Sequence, residues 1–454
     1  MTLLRGVPRL PSAGRPDPIR KVLHELDDEA AGAAMHALIR ELYPICRSIT
    51  GEGLRETLRI VQRLAPLELH EVPSGTHVLD WTVPREWNLR RARLIDPDGH
   101  VIADTDRLNL HVVNYSVPFH GTMMLEELDE HLHSLPAQPT VVPYRTSYYR
   151  DDWGFCLRHE ERERLRPGRY TVAIDTTLAE GALTYGELVL PGASPKEFLI
   201  STHCCHPSLA NDNLSGVALA ATLASMLERV DRRYTYRFVF VPGTIGSITW
   251  LGRNPDAAKR VSYGLVIAGV GSAGAMTYKR SRRGGADIDR VVAHVLAHRG
   301  EPYETRDFTP YGYDERQYCS PGFDLPVGCL SRTPYGEYPE YHTSADDLGF
   351  IRADRLVDAL RCSLEVLDVI EANDVYVNLS PYGEPQLGKR GLYGHVGGGH
   401  ARADELALLW VLNLADGTRT LLEIAERSQL AFDIVARAAD ALCASGLLAR
   451  AEDA

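Results

Sequence analysis

Residues 198–216, FLISTHCCHPSLANDNLSG, bring two histidines, two cysteines and an aspartate together between a short apolar run and an Ala/Leu-rich segment. Neutral imidazoles converging with a carboxylate suit zinc or a similar divalent cation, which keeps one position open when it is catalytic. His203, His206 and Asp212 are therefore the first candidate metal ligands. A lone HxxH more often bonds loop backbone, so this reading needs partners elsewhere in the chain. Cys204 and Cys205 are neighbours, and neighbouring side chains on an extended segment point to opposite sides. No more than one of them could face an ion.

A second cluster, YGEYPEYHTSADD at 335–347, sets His342 four residues before Asp346. His342 would close a metal site, with Asp346 or a nearby carboxylate orienting its second nitrogen. The plain alternative is a capped helix start before Leu348. Between the two clusters, YGYDERQYCSPGFDLP (311–326) gathers Asp314, Glu315 and Arg316 in one charged loop.

The elements that must position these residues follow from periodicity. Phe198 to Ser201 reads as a buried strand and Val217 onward as a helix. The first cluster thus falls at a strand's carboxyl end, where open α/β sheets bind ligands. Residues 30–65 carry helical spacing on both sides of a break at Ser48–Gly51. From 68 to 160 the runs become short and alternating, with a Pro-Asp-Gly hairpin signal at 97–99. Trp81, Trp87, Tyr148, Tyr149 and Trp153 are expected in the core of that module more than in a cleft. RYTVAID, ALTYGELVL, EFLIST, YTYRFVFVP, YGLVIAGVG and LPVGCLS read as strands, with helices after Gly216, around Ile288–Ala297 and from Ala353 to Glu371.

The expected fold class is α/β: a mixed, mostly parallel sheet with helices on both faces, plus a small β-rich module and a C-terminal winged-helix module. The expected division is a flexible leader at 1–29, the α/β domain at 30–67 and 160–378, the β-rich insert at 68–159, and a linker with the winged-helix-like module at 379–454. Residues 401–454 hold five Arg against nine Asp and Glu, a net of 5 − 9 = −4, which suits an interaction or packing module better than a DNA reader.

Composition narrows the partners. A formal charge of −12 over 454 residues argues against a general nucleic-acid or anionic-membrane binder, and no apolar stretch approaches the length of a membrane span. The eight cysteines lack CxxC spacing and read as reduced thiols in a cytoplasmic protein.

Read in order, LISTH, ANDNLSG, the VFV strand with GTIGS, and YHTSADDL resemble the zinc-dependent aminopeptidase and glutamate carboxypeptidase superfamily. The nearer likeness is to bacterial aminopeptidase-like proteins with an N-terminal β module and a C-terminal winged helix. It covers nearly the whole chain from about residue 35 and rests on the phrases HCCHPSLANDNLSG, PYGYDERQYCSPGFDLP and EYHTSAD. The resemblance implies His203, Asp212 and His342 as zinc ligands, with His206 as the alternative to His203. It also marks departures. The carboxylate expected after the central strand is replaced by Gly243, the one expected on the next strand falls near Ala268, and the aspartate that orients the first histidine falls at Cys205. One zinc ion is expected more than two, bringing a bound water whose proton needs an acceptor.

Asp314, Glu315 and Glu340 are the acceptor candidates, and Arg316 or Tyr341 is the candidate oxyanion donor. The expected activity is a zinc-dependent aminopeptidase-like amidohydrolase acting on a small-molecule or peptide-like substrate that bears an amine or amide. The alternative is the same fold with a disabled site, serving as a ligand-binding or scaffolding protein in a biosynthetic pathway, and either form could be a homo-oligomer.

Overall fold

The computed structural model describes residues 18–392 and 403–452. Contacts divide the chain into two compact units: residues 26–289 with 302–361, and the described parts of 1–25, 290–301 and 362–454.

The first unit opens with helices α1 (Asp28–Leu42) and α2 (Glu52–Val61). Strand β1 (Glu68–Pro73) follows, then β2 (Glu86–Ile95), β3 (Val101–Asp104), β4 (Phe119–Met124) and β5 (Arg169–Ala179). Next come β6 (Ala182–Leu190), β7 (Glu197–His203), α3 (Gly216–Leu227), β8 (Thr235–Val241), α4 (Ile245–Arg253) and β9 (Val261–Ile267). The series ends with β10 (Met276–Lys279), α5 (Asp287–His298), β11 (Tyr303–Arg306), α6 (Glu315–Tyr318), β12 (Val327–Arg332) and α7 (Ala353–Ala372); α5 and α7 run on into the second unit.

One eight-stranded mixed sheet organises this unit, in the order β1-β6-β8-β7-β9-β12-β10-β11. The central neighbours β8, β7, β9 and β12 run parallel, while β1 and β6 pair antiparallel at one side. All seven residues of β7 are buried, as a central parallel strand covered on both faces requires. Alternation sends Leu199, Val239 and Val241 into one core cluster with Ile245, Trp250 and Leu251 of α4. Phe198, Ile200, Phe238 and Phe240, also buried, take the opposite face, where α3 packs on β7, β8 and β9.

A separate four-stranded antiparallel sheet, β3-β2-β5-β4, carries its own core of Leu94, Val112, Trp153, Phe155, Tyr170 and Ile174. The small sheet has different limits from those the sequence suggests. Strand β5 lies beyond 159 but pairs with β2 from Glu86↔Ala179 to Ile95↔Thr171, whereas β1 at 68–73 joins the large sheet. Strand periodicity shows that a strand exists and not which edge it joins. Trp87 and Trp153 are buried, but Trp81 and Tyr149 stay largely exposed.

In the second unit, β13 (Val375–Asn378), α8 (Ala403–Leu414), β14 (Asp416–Thr420), α9 (Leu421–Ser428), α10 (Phe432–Ala444) and β15 (Leu448–Arg450) form three helices against a small sheet, β14-β13-β15. This module therefore takes in residues before 379. The leader reading needs a similar correction. Residues 1–17 lie outside the described residues, but Pro18–Glu25 is helical, with Ile19 fully buried and Arg20 paired to Asp368 at 3.0 Å.

Candidate metal centre

Strand β7 ends on His203, and the chain then loops through Cys204–Leu209 into the residues 210–215 that precede α3. The turn carries Asp212 back over the strand end. His203 Nε2 lies 2.9 Å from Asp212 Oδ1, His342 Nε2 lies 2.9 Å from Oδ2, and His206 Nδ1 lies 3.3 Å from Oδ2. Asp212 is fully buried and His203 nearly so. Three histidines from two distant stretches thus converge on one carboxylate; the ligand atoms of His203, His206 and Asp212 all lie within 4.8 Å of one another, a group that does not take in His342, which meets Asp212 through Oδ2.

Electrostatics agrees with this arrangement. Burial holds His203 and His342 below the ordinary imidazole range, against the opposing pull of Asp212. Burial alone would raise the Asp212 carboxyl, but the imidazoles, His206 foremost, hold it well below the carboxylate range. His206 itself is carried well above its usual value, because Asp212 and Cys205 outweigh its burial.

The set fits a cation on one further observation. Asp212 Oδ2 and His342 Nε2 are buried and 2.9 Å apart, yet neither has a hydrogen-bond partner. Two buried polar atoms that face each other off the hydrogen-bond axis leave lone pairs to be satisfied, and a divalent ion satisfies them. His206 is differently engaged, since its Nδ1 stands 3.1 Å from the Asp212 carbonyl oxygen.

Asp346 does not orient His342, as the sequence suggests. Its two oxygens accept the backbone N–H groups of Asn211 at 2.6 Å and Asp212 at 2.9 Å, so it fixes the turn that carries the central carboxylate. No helix starts before Leu348 either; 343–350 is a series of turns, and α7 begins at Ala353. His342 is steadied by Tyr341, stacked on it at 4.0 Å, and by the 142–144 segment. There Tyr144 N–H donates to the His342 carbonyl at 2.8 Å, and the Tyr144 ring stands edge-on to both His342 and His206.

Several supports were not singled out from sequence. Arg47 is 1 % exposed, and its guanidinium donates to the carbonyls of His206 and Leu42 and to the Thr57 hydroxyl. Burial pulls its pKa down to about 10. Asn213 donates its amide at 2.9 Å to Thr202 Oγ1, and its nitrogen lies 3.3 Å from His203 Nδ1. Tyr313 stacks on His203 at 5.0 Å. The neighbouring phrase YGYDERQY is the sequence signal that could have found Tyr313, whereas nothing local marks Arg47.

The charged loop divides by direction. Asp314, 1 % exposed, accepts from Ser247 Oγ at 2.8 Å. Glu315, fully buried, instead pairs with Lys279 of β10 at 2.8 Å, and Lys279 also donates to the Tyr311 carbonyl at 2.6 Å. Arg316 lies 5.9 Å from the Tyr311 ring centre, and Glu340 is half-buried in the turn before His342. Both thiols of the Cys204-Cys205 pair face backbone carbonyls, of Val241 and Gly243. Ala268 is fully buried, and no carboxylate stands at 243 or 268.

The fold is that of the zinc aminopeptidases. A zinc aminopeptidase from Bacillus subtilis superposes with a TM-score of 0.54 at 13% identity, over 74% of this chain and 94% of its own. A peptidase precursor of the M28 class from Shewanella amazonensis does so at 0.53 and 12%, over 78% and 97%. The chain belongs to the family described as a domain of unknown function, DUF4910, which it matches over residues 36–373, and residues 374–450 match a winged helix-turn-helix. A Clostridium acetobutylicum protein is 50% identical over 412 residues, covering 90% of this chain and 95% of that one. It carries the provisional name of a polysaccharide biosynthesis protein with an aminopeptidase-like domain. A crystal structure of a provisionally named peptidase from Clostridium acetobutylicum has a TM-score of 0.90 at 47% identity, over 95% of this chain and 99% of that one.

Proposed function

We propose that this protein is a single-zinc, aminopeptidase-like amidohydrolase in which His203, Asp212 and His342 hold the ion and His206 fastens the turn beside it. The observation that carries the reading is the convergence of the three imidazoles on Asp212, with Asp212 Oδ2 and His342 Nε2 left without hydrogen-bond partners. Gly243 and Ala268 leave a second ion without its carboxylates. Zinc, when bound, polarises an amide carbonyl and lowers the pKa of its water. Asp346 and Arg47 hold the ligand loop in register, and Tyr341 and Tyr313 flank the two outer imidazoles.

The proposed substrate is a small molecule bearing an amide. The name of the Clostridium relative suggests polysaccharide assembly as the setting, so N-acyl and aminoacyl derivatives of amino sugars belong in the substrate panel. Metal analysis of the purified protein tests the reading. One zinc per chain is expected, lost in His342→Ala and kept in Glu340→Gln, with hydrolysis of at least one simple aminoacyl or N-acyl amide. A metal-free protein inert across the panel would instead establish the disabled scaffold.

A further inference from the structure

We infer that the proton acceptor of this hydrolysis is Asp314, whose carboxylate, at the start of α6, lies beside Gly243 after β8 and close to the first ligand histidine. The inference rests on the hydrolase reading above.

Geometry separates this carboxylate from its neighbour Glu315. A Cβ placed on Gly243 would meet His203 Cβ at 3.1 Å and Asp314 Oδ2 at 3.5 Å. Asp314 Oδ2 and the first ligand histidine are therefore close neighbours of Gly243, which follows β8 after Pro242. Oδ1 is held by Ser247 Oγ from α4, while Oδ2 is buried and has no hydrogen-bond partner. A buried carboxylate oxygen is costly to leave unpaired, and its place beside Gly243 and His203 suits the acceptor an attacking water needs. Glu315 is excluded by direction, because Lys279 draws it toward β10.

The step balances without a further reactant. The water oxygen bonds to the amide carbonyl carbon as one water proton passes to Asp314 Oδ2. That proton then goes to the departing nitrogen as the C–N bond breaks, the second water hydrogen stays with the acid product, and Asp314 is again a carboxylate. Burial pushes the Asp314 carboxyl up to about 7, against the pull of the Ser247 hydroxyl, which suits a base working near neutral pH.

Asp314→Asn, Asp314→Glu and Ser247→Ala test this, each read for zinc content, kcat and KM, with difference infrared following the protonated-carboxyl band through a pH titration. Asp314→Asn is expected to keep one zinc, diminish the titrating carboxyl band to which buried Asp346 also contributes, and lose kcat by about 10²- to 10⁴-fold at little-changed KM. Asp314→Glu should recover part of that loss. A kcat within about threefold of wild type in a zinc-loaded Asp314→Asn protein would overturn the assignment while the hydrolase reading stands, since general acid–base groups contribute more than that. If Asp314→Asn does not fold, Ser247→Ala decides: a kcat loss at unchanged zinc content and KM supports the acceptor, and an unchanged kcat refutes it. A wild-type protein without zinc or activity would defeat both readings together.

Discussion

Asp346 and Arg47 each hold backbone around the histidine turn, and neither can be replaced isosterically without orphaning a partner. Asp346→Asn keeps the shape but turns an amide N–H₂ toward a backbone N–H of Asn211 or Asp212. We expect it to lower stability by about 1–3 kcal/mol, the cost of an unmade buried hydrogen bond, and to weaken zinc binding measured against a chelator. Arg47→Met should cost a similar amount in urea denaturation, and Arg47→Lys should recover only part, because an ammonium cannot reach both carbonyls and Thr57 in the planar geometry of the guanidinium. At this scale the sequence was informative about chemical type. It supplied the four metal candidates and the absence of a carboxylate at 243. It could not separate Asp314 from Glu315, because adjacent residues at the start of one short helix point in different directions and only Lys279 decides which goes where.

The loop from Phe308 to Arg316 acts as an element through its tie to β10. Lys279→Met leaves Glu315 charged, buried and unpaired, so about 3–5 kcal/mol of destabilisation is expected, with much of it recovered in Lys279→Met/Glu315→Gln. Chemical denaturation of the three proteins checks this. Helix α5 carries a pH-sensitive group, His294, 7 % exposed and with no hydrogen-bond partner for Nε2. Burial pulls its pKa from 6.5 to about 4, so below pH 6.5 the unfolded chain takes up a proton that the folded chain does not. Stability from this group is therefore present above pH 6.5 and lost as pH falls toward 4. Thermal melts should show that slope, and His294→Leu should flatten it. Element existence was legible because burial imposes a period of two on strands and 3.6 on helices. Sheet membership was not, which is why β5 joined the small sheet and β1 the large one.

At the scale of the molecule, an ion bound only by the folded state stabilises it by mass action, so stripping zinc with a chelator should lower Tm and restoring one equivalent should reverse the change. The charge of −12, and −4 within 401–454, predicts no salt-sensitive DNA binding at physiological ionic strength; fluorescence anisotropy with duplex DNA measures it, and tight sequence-specific binding would refute it. No helix among the described residues is long and apolar enough to cross a membrane. The sequence alone determined the alternation of strands and helices, the donor types at a strand's end, and the departures at Gly243 and Ala268, because each is a local property of a few consecutive residues. Only the tertiary structure decided that Asp346 serves the Asp212 turn and not His342, that Tyr144 and Arg47 brace the histidines, and that Asp314 meets Ser247 across 67 residues of chain. Those contacts arise where parallel strands deliver distant loops to the same sheet edge, and that meeting depends on strand order and side-chain direction, which no local pattern encodes.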